Sequence, residues 1–320
     1  MIDLKTIFND SFKNEDSSYK NEIVESDISL LFKHKILKSF LPEKKYNGLG
    51  YTIEQTLKLI EDASYLNGSL GWLVQIGNGG NYFLSNFSEE QAQHYFPQTN
   101  FVIAGSGTST ATATSENEGF IVSGKWKYCS GSIYASHFTI TFNTEKEEVY
   151  SAIIPRKDVS IIFDWDTIGM KNTSTNSIQI SDIFIHKNQL FKVNVQKQFQ
   201  DTSPFNLPFL IYAQGFFIHV LYGMVNRMIV ESKTSISKDI FIQFKKEHSK
   251  ILNYCSKNQN LSYKEEESFQ ETYRLQAIQL KAIASEIFTS RGMQSIFTND
   301  LISVFYLDVL TICQHKLLQT

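Results

Sequence analysis

The 320-residue sequence has only three cysteines, Cys129, Cys255 and Cys313, odd in number and far apart. That scarcity excludes a disulfide framework and fits free structural thiols in a reducing compartment. An excess of one charge sign is also missing: 30 Lys and Arg face 33 Asp and Glu, giving a formal net charge of −3 and a pI near 6.2. Without a basic excess, neither nucleic acid nor an anionic membrane surface is an expected partner. The opening MIDLKTIFNDSFKNEDSSYKNE has no apolar stretch with a small-residue cleavage site, and no later run reads as a membrane span. The expectation is a cytoplasmic protein.

Common catalytic signatures are missing too. Gly77-Asn78-Gly79-Gly80 and Gly105-Ser106-Gly107 do not complete GxGxxG, and no GxxxxGK[ST], HExxH, GxSxG or CxxC occurs. The seven histidines, His34, His94, His137, His186, His219, His248 and His315, lack metal-ligand spacing, so no metal site is expected.

What the chain does have is 42% hydrophobic and 13% aromatic residues, enough for one large core or two to three packed modules. Between Asp27 and Phe96 the apolar positions recur at helical spacing, as in Ile53, Leu57, Ile60 and Ala63. Thr52 with Gln55 and Ser88 with Gln91 form capping-box patterns. From about Phe101 the period changes to two, most clearly in His137-Phe138-Thr139-Ile140-Thr141-Phe142, which predicts closely spaced antiparallel strands. Helical spacing returns in Phe209–Lys233, Ile240–Tyr254 and Tyr263–Phe288, the last opened by Ser262 with Glu265, and in an apolar final helix over Leu301–Leu318. The reading is a multi-domain α+β protein: an N-terminal helical domain (1–100), a middle antiparallel β-barrel or sandwich (101–195) and a C-terminal helical bundle (196–320).

Four segments in this order resemble the acyl-CoA dehydrogenase superfamily, most closely its flavin-dependent monooxygenase (group D hydroxylase) branch. They are Ala63-Ser64-Tyr65-Leu66-Asn67-Gly68-Ser69-Leu70-Gly71-Trp72, then Ile103-Ala104-Gly105-Ser106-Gly107, then Gly119 through Gly131 with Trp126-Lys127-Tyr128-Cys129-Ser130, and Asp164-Trp165-Asp166 through Asn176. The third is the most specific, being similar to a "GY-x-x-x-G-x-W-x-FASG" strand pair.

The resemblance implies a flavoprotein oxidoreductase that oxidises or hydroxylates a small organic substrate. It implies FAD or FMN, delivered in reduced form by a flavin reductase, and a homodimer or homotetramer. Tyr128 and Cys129 would flank the flavin ring and the Ser130 hydroxyl or amide would face its N5. Gly105, Ser106 and Thr173 would join the cofactor contacts. His315, in the end pattern Gln314-His315, would orient substrate or act as acid or base; a histidine closing a helix C-terminus is the bland reading of the same residue.

Departures from the pattern accompany the matches. Gly169-Met170-Lys171-Asn172-Thr173-Ser174-Thr175 stands where the branch has "GLRGTGS", and Val304, Leu307 and Leu310 stand where its last helix carries two arginines and a histidine. A C-terminal glutamate base of the dehydrogenase kind is also missing. A conventional acyl-CoA dehydrogenase and a non-catalytic scaffold therefore stand as alternatives.

Overall fold

Side-chain caps set several of the helix starts. The computed structural model describes all residues except 10, 13, 16, 17, 109, 196–202, 234–238, 259, 260 and 320. Its first part is helical, with α1 (Glu25–Lys33), α2 (Ile53–Leu66), α3 (Gly68–Gly80) and α4 (Glu89–Tyr95). At the start of α2, Thr52 Oγ1 accepts the Gln55 N–H at 3.3 Å and Gln55 Oε1 accepts the Thr52 N–H at 2.9 Å. Ser88 and Gln91 close the start of α4 in the same way, each satisfying a backbone donor the helix leaves unpaired.

A seven-stranded sheet follows: β1 (Ile103–Gly105), β2 (Ala111–Glu116), β3 (Gly119–Cys129), β4 (His137–Thr144), β5 (Val149–Pro155), β6 (Ser160–Ile162) and β7 (Asn176–His186). Across it the strands run β5, β4, β2, β3, β7, β6, with β1 lying beside β4 ahead of β2. The expectation of a purely antiparallel module is corrected by two parallel ladders, Ile103 opposite His137 and Ala111 opposite Phe142. The cause is topological. β3 pairs with one side of β2, and the turn over 130–136 carries the chain to the other side, so β4 enters running with β2. Trp126, Phe138, Ile140 and Phe142 fill the sheet's own core, and Trp126 Nε1–H donates to Thr141 O at 2.9 Å.

The C-terminal region is helical: α5 (Phe209–Ser232), α6 (Asp239–Lys257), α7 (Tyr263–Ser290) and α8 (Leu301–Ile312). Ser262 and Glu265 cap α7 as their spacing predicts. α8 stops six residues short of the expected Leu318; a 3-10 turn over Lys316–Leu318 follows it, capped by the His315 ring. α5 also corrects a reading, because it is long and apolar enough by composition to cross a membrane. Every residue from Ile211 to Val225 is buried, which makes α5 the central rod of the helical core. The expected 195/196 boundary borders residues outside the described ones.

α5 crosses α2 closely because Gly223 lacks a Cβ, which would sit 2.3 Å from Glu61 O. At this crossing Glu61 accepts from His219 Nδ1 at 2.7 Å and from Lys245 Nζ at 2.5 Å, tying α2, α5 and α6 together. Burial alone would raise the Glu61 carboxyl, but the bonds from His219 and Lys245 hold it below the usual range. Its contribution to stability is therefore present above the unfolded-state pKa and is lost as pH falls through the folded one. Glu61→Ala strands the buried His219 imidazole without its acceptor, whereas the 43% exposed Lys245 side chain can turn to water, so urea unfolding at pH 7 should show a loss of about 1–3 kcal/mol. A loss below about 1 kcal/mol would mean that the three helices do not depend on this carboxylate.

Candidate functional site

The end of β3 carries a bulge. Trp126 pairs with Ile178 and Cys129 with Asn176, so β3 has one residue more than β7 over this interval, and Tyr128 takes up the difference at φ +64°. A non-glycine residue in the left-handed region is unusual and throws its side chain out of the pleat. The Tyr128 ring is 69% exposed, whereas the Cys129 side chain turns into the sheet core. Burial, then the charge of Asp164, pushes the Cys129 thiol up to about 12, so it stays protonated.

Beyond the bulge, Ser130 enters a chain of short hydrogen bonds. Its Oγ accepts from Trp72 Nε1–H at 2.8 Å and lies 2.7 Å from Thr175 Oγ1. Thr175 Oγ1 lies 2.7 Å from Thr173 Oγ1, which donates to Met170 O at 2.8 Å. Backbone bonds reinforce the same contact: Gly131 N–H donates to Thr173 O at 2.8 Å and Ser132 N–H to Ser174 O at 3.0 Å. The turn after β3 is thereby fixed to the segment before β7.

That segment is in turn fixed to α8. Gly169 lies so close that a Cβ there would meet Leu307 O at 2.2 Å, and the Met170 N–H donates to Asp308 Oδ1. Asp308 is fully buried and its Oδ2 has no hydrogen-bond partner among the described residues. Burial pushes its carboxyl up to about 7, against the opposing pull of the Met170 N–H and Lys171.

His315 reaches the same place from the C-terminus. Its ring packs edge-on against Phe217, with centroids 4.6 Å apart, and lies 6.3 Å from Trp72. Burial lowers its pKa to about 4, and Nδ1 accepts the Leu317 N–H at 3.2 Å. At neutral pH the ring is therefore uncharged, with its proton on Nε2 as a donor. A small apolar hollow of about 20 Å³ lies beside the turn, with Leu31, Leu73, Ile76, Val102, Gly131 and Tyr134 in its lining.

Of the residues singled out in the sequence, Ser130 and Thr173 share one hydrogen-bond network through Trp72 and Thr175, and the His315 ring lies beside it, 6.3 Å from the Trp72 ring. Tyr128 lies on the outer surface of the same bulge. Cys129 faces inward, and Gly105 abuts Thr139, where a Cβ would come within 2.4 Å of Thr139 O. Ser106 is half-buried next to Gly105. Trp72, Thr175 and Asp308 were missed as site residues, although all three sit inside or beside the quoted motifs. What marks them is a partner more than 40 residues away, which periodicity does not reveal.

No family model matches the chain. It is 27% identical over 169 residues to an indole-3-acetate monooxygenase of Acinetobacter baumannii, covering 51% of this chain and 43% of that one. To an indole-3-acetate monooxygenase of Pseudomonas putida it is 28% identical over 195 residues, 59% of this chain and 50% of the other. The chain thus spans about half the length of the curated relatives it matches. Among solved structures, the HsaA monooxygenase from M. tuberculosis superposes with a TM-score of 0.79 at 15% identity, over 92% of this chain and 86% of that one. XiaF from Streptomyces sp., in complex with FADH2 and glycerol, superposes at 0.78 with 15% identity, over 94% and 86%. The chain therefore shares the fold of these two structures.

Asp308 makes the latch on α8 sensitive to pH. Its folded pKa, about 7, lies above the unfolded value of about 3.9, so its contribution favours the fold below the unfolded pKa and is lost as pH rises through the folded one. Asp308→Asn keeps an oxygen for the Met170 N–H and removes the charge. Between pH 4 and pH 8 the wild type should lose up to roughly 4 kcal/mol that the variant keeps, measured by urea unfolding at each pH. Parallel stability profiles in the two proteins would count against this role.

Proposed function

We propose that this chain is the oxygenase component of a two-component flavin-dependent monooxygenase, in the hydroxylase branch of acyl-CoA dehydrogenase-like proteins. It would hydroxylate or otherwise oxidise a small aromatic substrate, using FAD or FMN reduced by a separate flavin reductase. The observation that carries this reading is the convergence of Ser130, Trp72 and His315 beside the bulge that presents Tyr128. Two indole-3-acetate monooxygenases among the sequence relatives support an aromatic substrate, as does a structural neighbour, TdsC, solved with FMN and indole.

The residues fit such a cofactor. An isoalloxazine needs a flat apolar surface with polar groups along one edge. The outward Tyr128 ring supplies the surface, and the peptide group of Lys127, left outside the β3–β7 ladder, supplies polar groups along with Ser130. Cys129 would contribute through its backbone, Gly105 and Ser106 from the neighbouring loop, and Thr173 through its hold on Thr175. Reduced flavin, when bound, supplies the electrons that activate dioxygen. The chain's own residues bind and orient: His315 offers Nε2–H to a substrate polar group, and Phe217 and Trp72 provide an apolar wall that excludes water.

The finer layout belongs to the same proposal: helical, β-barrel-like and helical domains with limits near 100 and 195, in a cytoplasmic homodimer or homotetramer. The separate sheet core around Trp126 supports the middle unit. Exposed Met293, Ile296 and Phe297, beside the entrance to α8, support a subunit contact. Light scattering should then return two or four times the 36.7 kDa chain mass, and a monomer at micromolar concentration would exclude that assembly.

The direct test is equilibrium binding of FAD and FMN in both redox states, followed by product analysis with reduced flavin, dioxygen and indole-3-acetate or indole. Ser130→Leu removes a polar contact worth about 0.5–1.5 kcal/mol and overpacks the slot by about 1–3 kcal/mol, so flavin affinity should fall at least tenfold. Unchanged affinity in the folded variant would put the ring elsewhere. Wild-type protein that binds neither redox state would favour a non-catalytic scaffold.

A further inference from the structure

Each link in the hydroxyl chain under the bulge has only one possible direction. An indole N–H can only donate, so Ser130 Oγ receives the proton of Trp72 Nε1. A carbonyl can only accept, so Thr173 gives its single hydroxyl proton to Met170 O. Thr173 Oγ1 must then accept from Thr175, and Thr175, with its proton committed, must accept from Ser130. Turning Thr173 around would leave two oxygens 2.8 Å apart with no proton between them. All the protons point from Trp72 toward Met170, and Ser130 Oγ is left with one acceptor lone pair and no free donor.

The two redox states of a flavin differ at N5. The oxidised ring has a bare nitrogen that accepts a hydrogen bond, and the reduced ring has an N–H that donates one. We propose that the one-way chain makes Ser130 an acceptor-only contact that selects reduced over oxidised flavin, with Thr175 as the positioning residue that enforces the direction. This rests on the reading above that the N5 edge lies at Ser130, and adds to it the group that sets the redox preference. The hydroxyls of Thr175 and Thr173 have no other hydrogen-bonding role among the described residues.

Thr175→Val keeps the side-chain shape and removes the acceptor for the Ser130 proton, which can then turn toward a bare N5. The readout is the ratio of dissociation constants for oxidised and reduced FMN and FAD. Oxidised flavin is titrated in air by fluorescence quenching, and dithionite-reduced flavin anaerobically by equilibrium dialysis. Wild type should bind the reduced form at least tenfold more tightly; Thr175→Val should narrow that ratio about tenfold, the effect of roughly one hydrogen bond, and Thr175→Ser should restore it. A general loosening of the site would weaken both forms and leave the ratio alone. Should Thr175→Val not fold, Thr173→Val frees the Thr175 proton to point back at Ser130 and should narrow the ratio in the same direction. An unchanged ratio in a folded variant, or equal binding of both forms by wild type, overturns the inference while the flavin reading stands. Absence of any flavin binding by wild type overturns both.

Discussion

One carbonyl organises the site. Met170 O accepts from Trp165 Nε1 at 2.9 Å and from the Thr173 hydroxyl at 2.8 Å, and the Thr173 N–H approaches it at 3.3 Å. To aim that oxygen inward, Met170 adopts φ +54°, a left-handed conformation costly for a residue with a Cβ. The cost is offset from the other side of the same residue, where the Met170 N–H is held by the buried Asp308 carboxyl and Gly169 presses against the α8 backbone. Without this anchor, neither the direction of the hydroxyl chain nor the position of Ser130 beneath the bulge would be determined.

The anchor also explains how a site assembled from distant parts of the sequence holds a fixed shape. Trp72 comes from α3, Ser130 from the end of β3, Thr173 and Thr175 from the approach to β7, and Asp308 from α8. Each pair is brought together by one short bond between buried groups. Buried polar groups left unpaired cost roughly 1–3 kcal/mol each, so the chain of bonds is stable as a complete set and costly when partly made. The orphaned Asp308 Oδ2 is the exception, and its burial is what raises the carboxyl pKa toward neutrality.

The modules were legible in the sequence because each rests on local rules. Thr52 with Gln55 and Ser262 with Glu265 announce helix starts three residues apart, and the alternation from His137 to Phe142 announces a strand. Direction was not legible: that β4 runs parallel to β2 depends on where the 130–136 turn crosses, and no local pattern records a crossing. The same limit applied at the site. The motif around Tyr128 and Ser130 marked the right strand, but Tyr128 faces outward while Cys129 and Ser130 are buried, because the bulge shifts the alternation by one residue. α8 illustrates the opposite error, for its apolar run suggested a helix to Leu318 although the chain turns after Ile312 to seat the His315 ring.

α5 lets the site vary without risk to the fold. Phe217 and His219 are two residues apart on this helix, a spacing that points side chains in different directions. Phe217 contacts Trp72 and His315, whereas His219 faces Glu61 and the His248 ring, 4.8 Å away. The ionic tie that holds the bundle and the aromatic wall that borders the site therefore share a rod but no partners. Because contacts without shared partners act nearly independently, side chains around the site can change with little effect on the bundle. The aliphatic Val304, Leu307 and Leu310 on α8 fit that arrangement, since Val304 packs in the apolar core and Asp308, between Leu307 and Leu310, keeps its bond to Met170. What α8 cannot give up is the close approach at Leu307, where its backbone meets Gly169: the helix can exchange charged side chains for aliphatic ones and still hold the turn, provided the residue facing it has no Cβ.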